Sequence, residues 1–310
     1  MISRRIIRVK VMQALYSIDS RGGDAEHVES VKYLKHSIDQ TRHLLVYLVN
    51  FILEIARYSE VDAQQKSGKH LPSKSDLNTS TRIAGNDLVL QLTQQESFKK
   101  ACVHYKLSYA VDGEMLRKLY RNVVASDEYK NYTSIAQNSG KDDKKILEFV
   151  FNEIMMNNDD FINHIEDLFL NWDDDTEMIA VLINTFFQKP LAFDFNQLIS
   201  AEKWEFAEHL LKTVLDKKAY CLELITPKLN NWDAERIAAL DMILMQMGVC
   251  EFLYFETIPT KVTINEYIDL AKDYSTPQSG HFVNGVLDNI RKDLVESDKI
   301  HKKNFKNSTL

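Results

Sequence analysis

The chain has 310 residues, 45% of them hydrophobic, enough for one large domain or two smaller ones with buried cores. Five prolines and nine glycines favour helices over β-architecture, and a net charge of −7 excludes a globally basic nucleic-acid binder. The three cysteines, Cys102, Cys221 and Cys250, are scattered and odd in number, show no metal-ligand spacing, and read as reduced thiols.

The charge is uneven. Residues 1–10 hold Arg4, Arg5, Arg8 and Lys10 and no acid, and the tail adds Lys299, Lys302, Lys303 and Lys306. Confined basic patches on an acidic protein are compatible with a local RNA site. At about 100° per residue, Ile7, Val11, Ala14, Leu15 and Ile18 form one apolar stripe on the first helix. Arg4 and Arg8 border that stripe, and Arg5, Met12 and Tyr16 continue round the same side. One edge thus offers guanidinium forks, which suit phosphate oxygens, and a phenol ring, which can stack on an unpaired base. Solvated surface charge around a core-rim tyrosine is the plainer account of the same pattern. Ser3-Arg4-Arg5 faintly resembles a twin-arginine signal, but Arg8 and Lys10 interrupt any apolar core after it.

A turn at Arg21-Gly22-Gly23-Asp24 leads into a long helical pattern over residues 28–63. Its apolar run, residues 44–56, is too short to span a bilayer and contains Asn50 and Glu54, so a cytoplasmic protein is expected. Residues 64–82 are polar and read as a loop or linker. Helices are expected over 87–109, 113–126, 144–157, 161–169, 176–187 and 202–224. Asp173-Asp174-Asp175 cannot face one ion from a regular helix and reads as the acidic start of the helix after Trp172. Leu170-Asn171-Trp172-Asp173 echoes Asn230-Asn231-Trp232-Asp233 sixty residues on, which fits either an internal repeat or chance similarity of amphipathic helices. No nucleotide loop, nucleophile elbow or histidine-based zinc motif is present.

The C-terminal run, residues 231–293, is the most informative. Ile237, Leu240, Ile243, Leu244 and Met247 fall at helical spacing, and apolar residues on more than one side place this helix in a bundle centre, with Asp241 the exception. Thr263 and Glu266 read as a capping box, and Thr276-Pro277 as an N-cap with proline in the first turn. Gly285, costly inside a helix, is expected to admit a close backbone or ligand.

The stretch TKVTINEYIDLAKDYSTPQSGHFVNGVLDNI resembles the C-terminal part of the NusB family of transcription antitermination factors, through Pro259, Lys261, Val262, Ile264, Asn265, Glu266, Leu270, Ala271, Lys272 and residues 282–288. The preceding EFAEHLLKTVLDKKAYCLELITPKLNNWDAERIAALD is similar to the family's long helix and Trp-containing corner. RRIIRVKVMQALYSID, with Gln13-Ala14-Leu15-Tyr16, resembles its arginine-rich first helix. This divides the chain into a first helix (1–20), a helical insert (21–200), a NusB-like block (201–296) and a basic tail (297–310).

The resemblance implies an all-α fold of two packed helical bundles. It implies binding of the boxA element of ribosomal RNA transcripts, together with a small-subunit ribosomal protein acting as NusE, in an antitermination complex with RNA polymerase. It implies no catalysis, cofactor or metal. Carried over by position, Arg4, Arg5 and Arg8 hold phosphates, and Gln13 and Tyr16 contact bases or ribose. Gln278, Ser279, His281 and Phe282 flank the same RNA path, while Asp241 and Glu251 lie toward the ribosomal protein. Asn265, Glu266, Asn284 and Gly285 are expected to fix the bundle. Thr260 stands where tyrosine is usual, and Ile6 and Gln246 where many relatives have arginine; fewer cations imply a weaker phosphate term and a shallower salt dependence. The same fold also serves as the RNA-binding domain of ribosomal RNA cytosine methyltransferases, but that reading needs a glycine-rich cofactor loop and a cysteine downstream of Leu310. A helical scaffold without RNA binding is the other alternative, favoured by the acidic balance and the large insert.

Overall fold

The computed structural model describes residues 2–22, 26–107, 111–135, 139–229 and 237–303. The described residues form fourteen α-helices and no strand, an all-α fold as expected. They divide into two compact units: an insert unit, Asp39–Leu198, and a termini unit made of Ile2–Ile38 and the segment from Ile199 onward. The residues around Trp232-Asp233, the second half of the sixty-residue echo, and Lys306 of the tail lie outside the described residues.

The insert unit is built around α2 (His27–Ser67), whose first turns belong to the termini unit. Leu44, Leu45, Val46, Tyr47, Leu48 and Val49 are consecutive and all buried, so helices must cover α2 on every side. The unit's other helices are a short α3 (Lys74–Leu77), α4 (Asp87–Gln94), α5 (Glu96–His104), α6 (Gly113–Ala125), α7 (Asp127–Ser134), α8 (Gly140–Phe149), α9 (Asp159–Leu168) and α10 (Trp172–Gln188), of which α5, α6, α9 and α10 meet α2 at Cys102–Asn50, Tyr120–Tyr58, Phe161–Phe51 and Asp175–Thr41. Polar anchors fix the layers. Asn86 caps α4 with its side-chain oxygen and donates to the Asp143 carbonyl at 2.9 Å. Thr41 donates to the buried Asp175 at 2.6 Å.

Several local details differ from the sequence reading. The polar stretch 64–82 contains the last turn of α2 and a capping box in which Ser73 and Asp76 satisfy each other's amides around α3. The expected helix over 87–109 breaks at Gln95, whose extended backbone ends α4 and starts α5 while its amide donates to the Phe193 carbonyl at 2.8 Å. α8 runs on into a π-helical turn, Val150–Met155, and α7 was not expected at all. Of the acidic triplet, Asp173 and Asp174 face outward in the first turn of α10, while Asp175 is inside.

The termini unit comprises α1 (Arg4–Ser20), α11 (Ala201–Ile225), α12 (Ala239–Tyr254), α13 (Thr260–Tyr274) and α14 (Ser279–Glu296). α1 packs on α11 and α12, and α12 also contacts α13 and α14. From Ile243 to Phe252 every residue of α12 is buried, which puts it at the bundle centre. Gly248 makes this possible: a Cβ there would come within 2.9 Å of the Leu287 methyls. Gly285 has no such neighbour; nothing lies within 4 Å of where its Cβ would be, so the close approach expected there occurs at Gly248 instead.

A candidate nucleic-acid interface on the termini unit

Ser3, in extended conformation, caps α1 by accepting from the Ile6 amide, and the first turn carries no acid. The stripe Ile7, Val11, Ala14, Leu15 and Ile18 is buried, as the wheel requires. Lys10 is buried too, its ammonium 3.2 Å from Ser37 Oγ. The cationic and aromatic groups of α1 that face outward are therefore Arg4, Arg5 and Tyr16, with Gln13 half-buried. Arg4 meets Glu202 at 3.0 Å and lies over the Phe206 ring. Arg5 donates to Asp273 at 2.6 Å, with Asp269 at 3.6 Å. Such exposed pairs contribute at most about 1 kcal/mol, so exchanging either carboxylate for a phosphate costs little. Tyr16 is 45% exposed and lies on Arg5's side of the helix, about 16 Å further along.

Asp273 sits in the last turn of α13, and the chain passes from there through residues 275–278 into α14. Ser279 is the hub of that turn. Its hydroxyl donates to Asp241 Oδ2 at 2.7 Å and accepts from the Thr276 amide at 3.2 Å, and the Thr276 hydroxyl is 2.8 Å away. Gly280 lets Lys272 cross the start of α14; a Cβ there would meet Lys272 Cγ at 2.8 Å. Gln278 and His281 remain exposed and Phe282 half-buried. The Arg5–Asp273 pair ties the first helix to the segment that carries them.

Beneath this surface lies a buried ionic network. Glu251 is fully buried and accepts from Arg8 Nε at 2.7 Å, Arg8 Nη2 at 3.1 Å, Thr263 Oγ1 at 3.1 Å and Tyr267 Oη at 2.8 Å. Arg8 Nη1 also reaches Glu266 at 3.2 Å. Burial works against the Arg8 charge, but its hydrogen bonds to Glu251 and that carboxylate's charge outweigh burial and hold its pKa above the ordinary value. Burial, followed by the Glu251 charge, pushes the Tyr267 phenol far up, so it stays a donor.

Four expected contact residues are thereby relocated. Arg8, Ser279, Asp241 and Glu251 are each at most 5% exposed and point into the bundle, so they shape the surface without forming it. The stripe arithmetic put Arg8 at a border, but a buried acid on α12 draws it inward. The Thr263–Glu266 capping box gives way as well: α13 starts at Thr260 after Pro259, Thr263 turns to Glu251, and Glu266 pairs with Arg8. Ile6 and Gln246 are both buried. Sequence reasoning missed Asp269 and Asp273 as partners of Arg5, and Phe206 beneath Arg4 and Arg8. Their spacing of four on α13 was the available signal for one shared cation.

The arrangement can hold a polyanion beside stacking groups. Among the described residues no grouping of His, Cys, Asp and Glu suits a metal ion. No described helix is long and apolar enough to cross a membrane.

The NusB family model matches residues 168–292. The transcription antitermination protein NusB of Salinibacter ruber is 45% identical over 98 residues, covering 32% of this chain and 61% of that protein's length. Its namesake in Methylacidiphilum infernorum is 41% identical over 101 residues, covering 33% of this chain and 70% of the relative. That of Enterococcus faecalis is 37% identical over 113 residues, covering 34% and 71%. No solved structure matches the chain.

Proposed function

This chain belongs to the NusB family, and from that premise we propose that it acts in transcription antitermination as a cytoplasmic RNA-binding factor without catalytic activity. Its ligand is boxA-like single-stranded RNA of ribosomal RNA transcripts. A small-subunit ribosomal protein acting as NusE binds alongside, and the pair joins the antitermination complex on RNA polymerase.

The observation that carries the reading is the juxtaposition of Arg5 with Asp273, which links the exposed arginine edge of α1 to the approach to α14. Phosphates exchange with the carboxylates on Arg4 and Arg5, bases stack on Tyr16, and Gln13, Gln278, His281 and Phe282 supply polar and ring contacts. Arg8, Glu251, Asp241 and Ser279 preorganise this face from inside. Mechanism here means recognition: no bond is made or broken.

The test is a gel shift with boxA RNA, with and without the ribosomal protein, repeated with Arg5→Ala and Tyr16→Ala. Weakened binding in both variants supports this face. Unchanged binding in both removes it from the site, and no binding of the parent chain under either condition favours a protein scaffold.

A further inference from the structure

The insert unit has five arginines. Arg42 pairs with Asp39 at 2.9 Å and Arg57 with Glu54 at 3.1 Å. Arg82 donates to the carbonyls of Thr133 and Ile135. That leaves Arg117 and Arg121, one turn apart on α6. Among the described residues Arg117 has only neutral hydrogen-bond partners, Tyr58 Oη at 3.2 Å and Gln65 Oε1 at 3.3 Å. Arg121 is exposed and has no hydrogen bond or ion pair among the described residues. Both line a concavity of about 660 Å³ together with Tyr58, Glu114, Lys118 and Asn122. Lys118 pairs with Asp160, and Glu114 is the one acid on the wall.

This is the reverse of its surroundings, since acids outnumber lysines and arginines in the insert unit. A concave wall with two guanidinium groups that form no ion pair among the described residues, and a single acid beside them, on an otherwise acidic body, is a local potential well for an anion. Positions four apart on a helix stand about 6 Å from one another, so the two forks address two phosphates or two oxygens of one. Arg117 is held toward the concavity by Tyr58 and Gln65, which keeps its charge unspent while fixing its plane.

We propose that this face of α6, Arg117 and Arg121 with Tyr58 and Asn122, is a second anion site that grips the phosphate backbone of the single-stranded RNA outside the boxA element. The inference rests on the chain binding RNA through its termini unit, and it gives the insert a role in that binding.

The experiment measures affinity of the full chain for two RNAs, a minimal boxA oligonucleotide and the same element extended by single-stranded flanks, across a salt series. The parent chain binds the extended RNA more tightly. Arg117→Gln/Arg121→Gln lowers that affinity to the value for the minimal RNA and leaves the minimal RNA unaffected. Its log–log salt slope on the extended RNA is shallower by about 1.4, the value for two phosphates on a single strand. Arg121→Glu, at an exposed position, gives the same loss if the double variant is poorly folded. Equal affinity of the parent for both RNAs, or unchanged affinity in the variants, overturns the second site while leaving boxA binding intact. Loss on both RNAs alike contradicts it, as does inorganic phosphate at millimolar concentration abolishing the flank effect, which would mark a small-anion site. Failure of the parent to bind either RNA overturns both proposals.

Discussion

Removing Glu251 is the sharpest perturbation of the termini unit. The carboxylate takes four hydrogen bonds and is fully buried, while the Arg8 side chain is 3% exposed. In Glu251→Ala the guanidinium keeps only Glu266 as an ionic partner, whose side chain is 28% exposed, the Tyr267 hydroxyl loses its acceptor, and Thr263 is left with the Pro259 carbonyl at 3.5 Å. Breaking one side of a buried pair costs about 3–5 kcal/mol, because it leaves an uncompensated charge in a low dielectric. Set against a typical domain stability of about 5–15 kcal/mol, that is a large share. The double variant Arg8→Met/Glu251→Leu removes both charges and should recover most of that loss, staying below the parent by the roughly 1–3 kcal/mol that the buried Tyr267 hydroxyl costs without its acceptor. Hydrogen exchange read by mass spectrometry resolves the two units separately. Peptides of α1, α12 and α13 should lose about 3–5 kcal/mol of opening free energy in the single variant, and peptides of α6 and α10 should not move. A single-variant loss under about 1 kcal/mol, or a double variant no more stable than the single, would refute the view that Arg8 and Glu251 exist for each other.

Three further outcomes are expected. Gly248→Ala drives a methyl against Leu287 and Tyr267 and should lower termini-unit stability by about 1–3 kcal/mol in urea melts, whereas Gly285→Ala, with open space, should not destabilise. Lys302 donates to the carbonyls of Glu251 and Phe255, and burial pulls its ammonium down to about 8 despite the charges of Glu251 and Glu256. Its carbon resonances should titrate near pH 8. Because the folded state holds this proton less tightly than the unfolded state, its contribution to stability improves as pH rises through and above 8, and Lys302→Met should flatten that rise. The thiols of Cys221 and Cys250 are fully buried, and burial pushes the half-buried Cys102 up to about 12, so a thiol reagent should react slowly with all three until the chain is denatured.

What the sequence disclosed and what it hid divide along physical lines. The α1 stripe and the all-round apolar α12 were legible because burial follows helical period. Gly248 escaped notice because its meaning is a close approach by Leu287, thirty-nine residues on, which no local pattern records. Arg8 was legible as a cation but not as an interior one, since its direction depends on an acid 243 positions away. The same holds for Thr263, whose local capping pattern with Glu266 loses to a buried carboxylate that needs a donor. In the insert, helices were found wherever apolar period was strong. The break at Gln95 and the short α7 were missed because a backbone turn and a serine cap at Ser126 decide them. Residues 168–198, placed in the insert by sequence, fall within the matched NusB region yet pack with the insert unit.

The central claim is that one side of α1 and the start of α14 form a single RNA-binding face. Photocrosslinking of the full chain to boxA RNA carrying 4-thiouridine, with the modified peptides sequenced, tests it most directly. The account predicts adducts on the Tyr16 peptide and on the peptide spanning Gln278 to Phe282, both diminished by Arg5→Ala. Adducts confined to other surfaces of the termini unit, with none on either peptide, would contradict it.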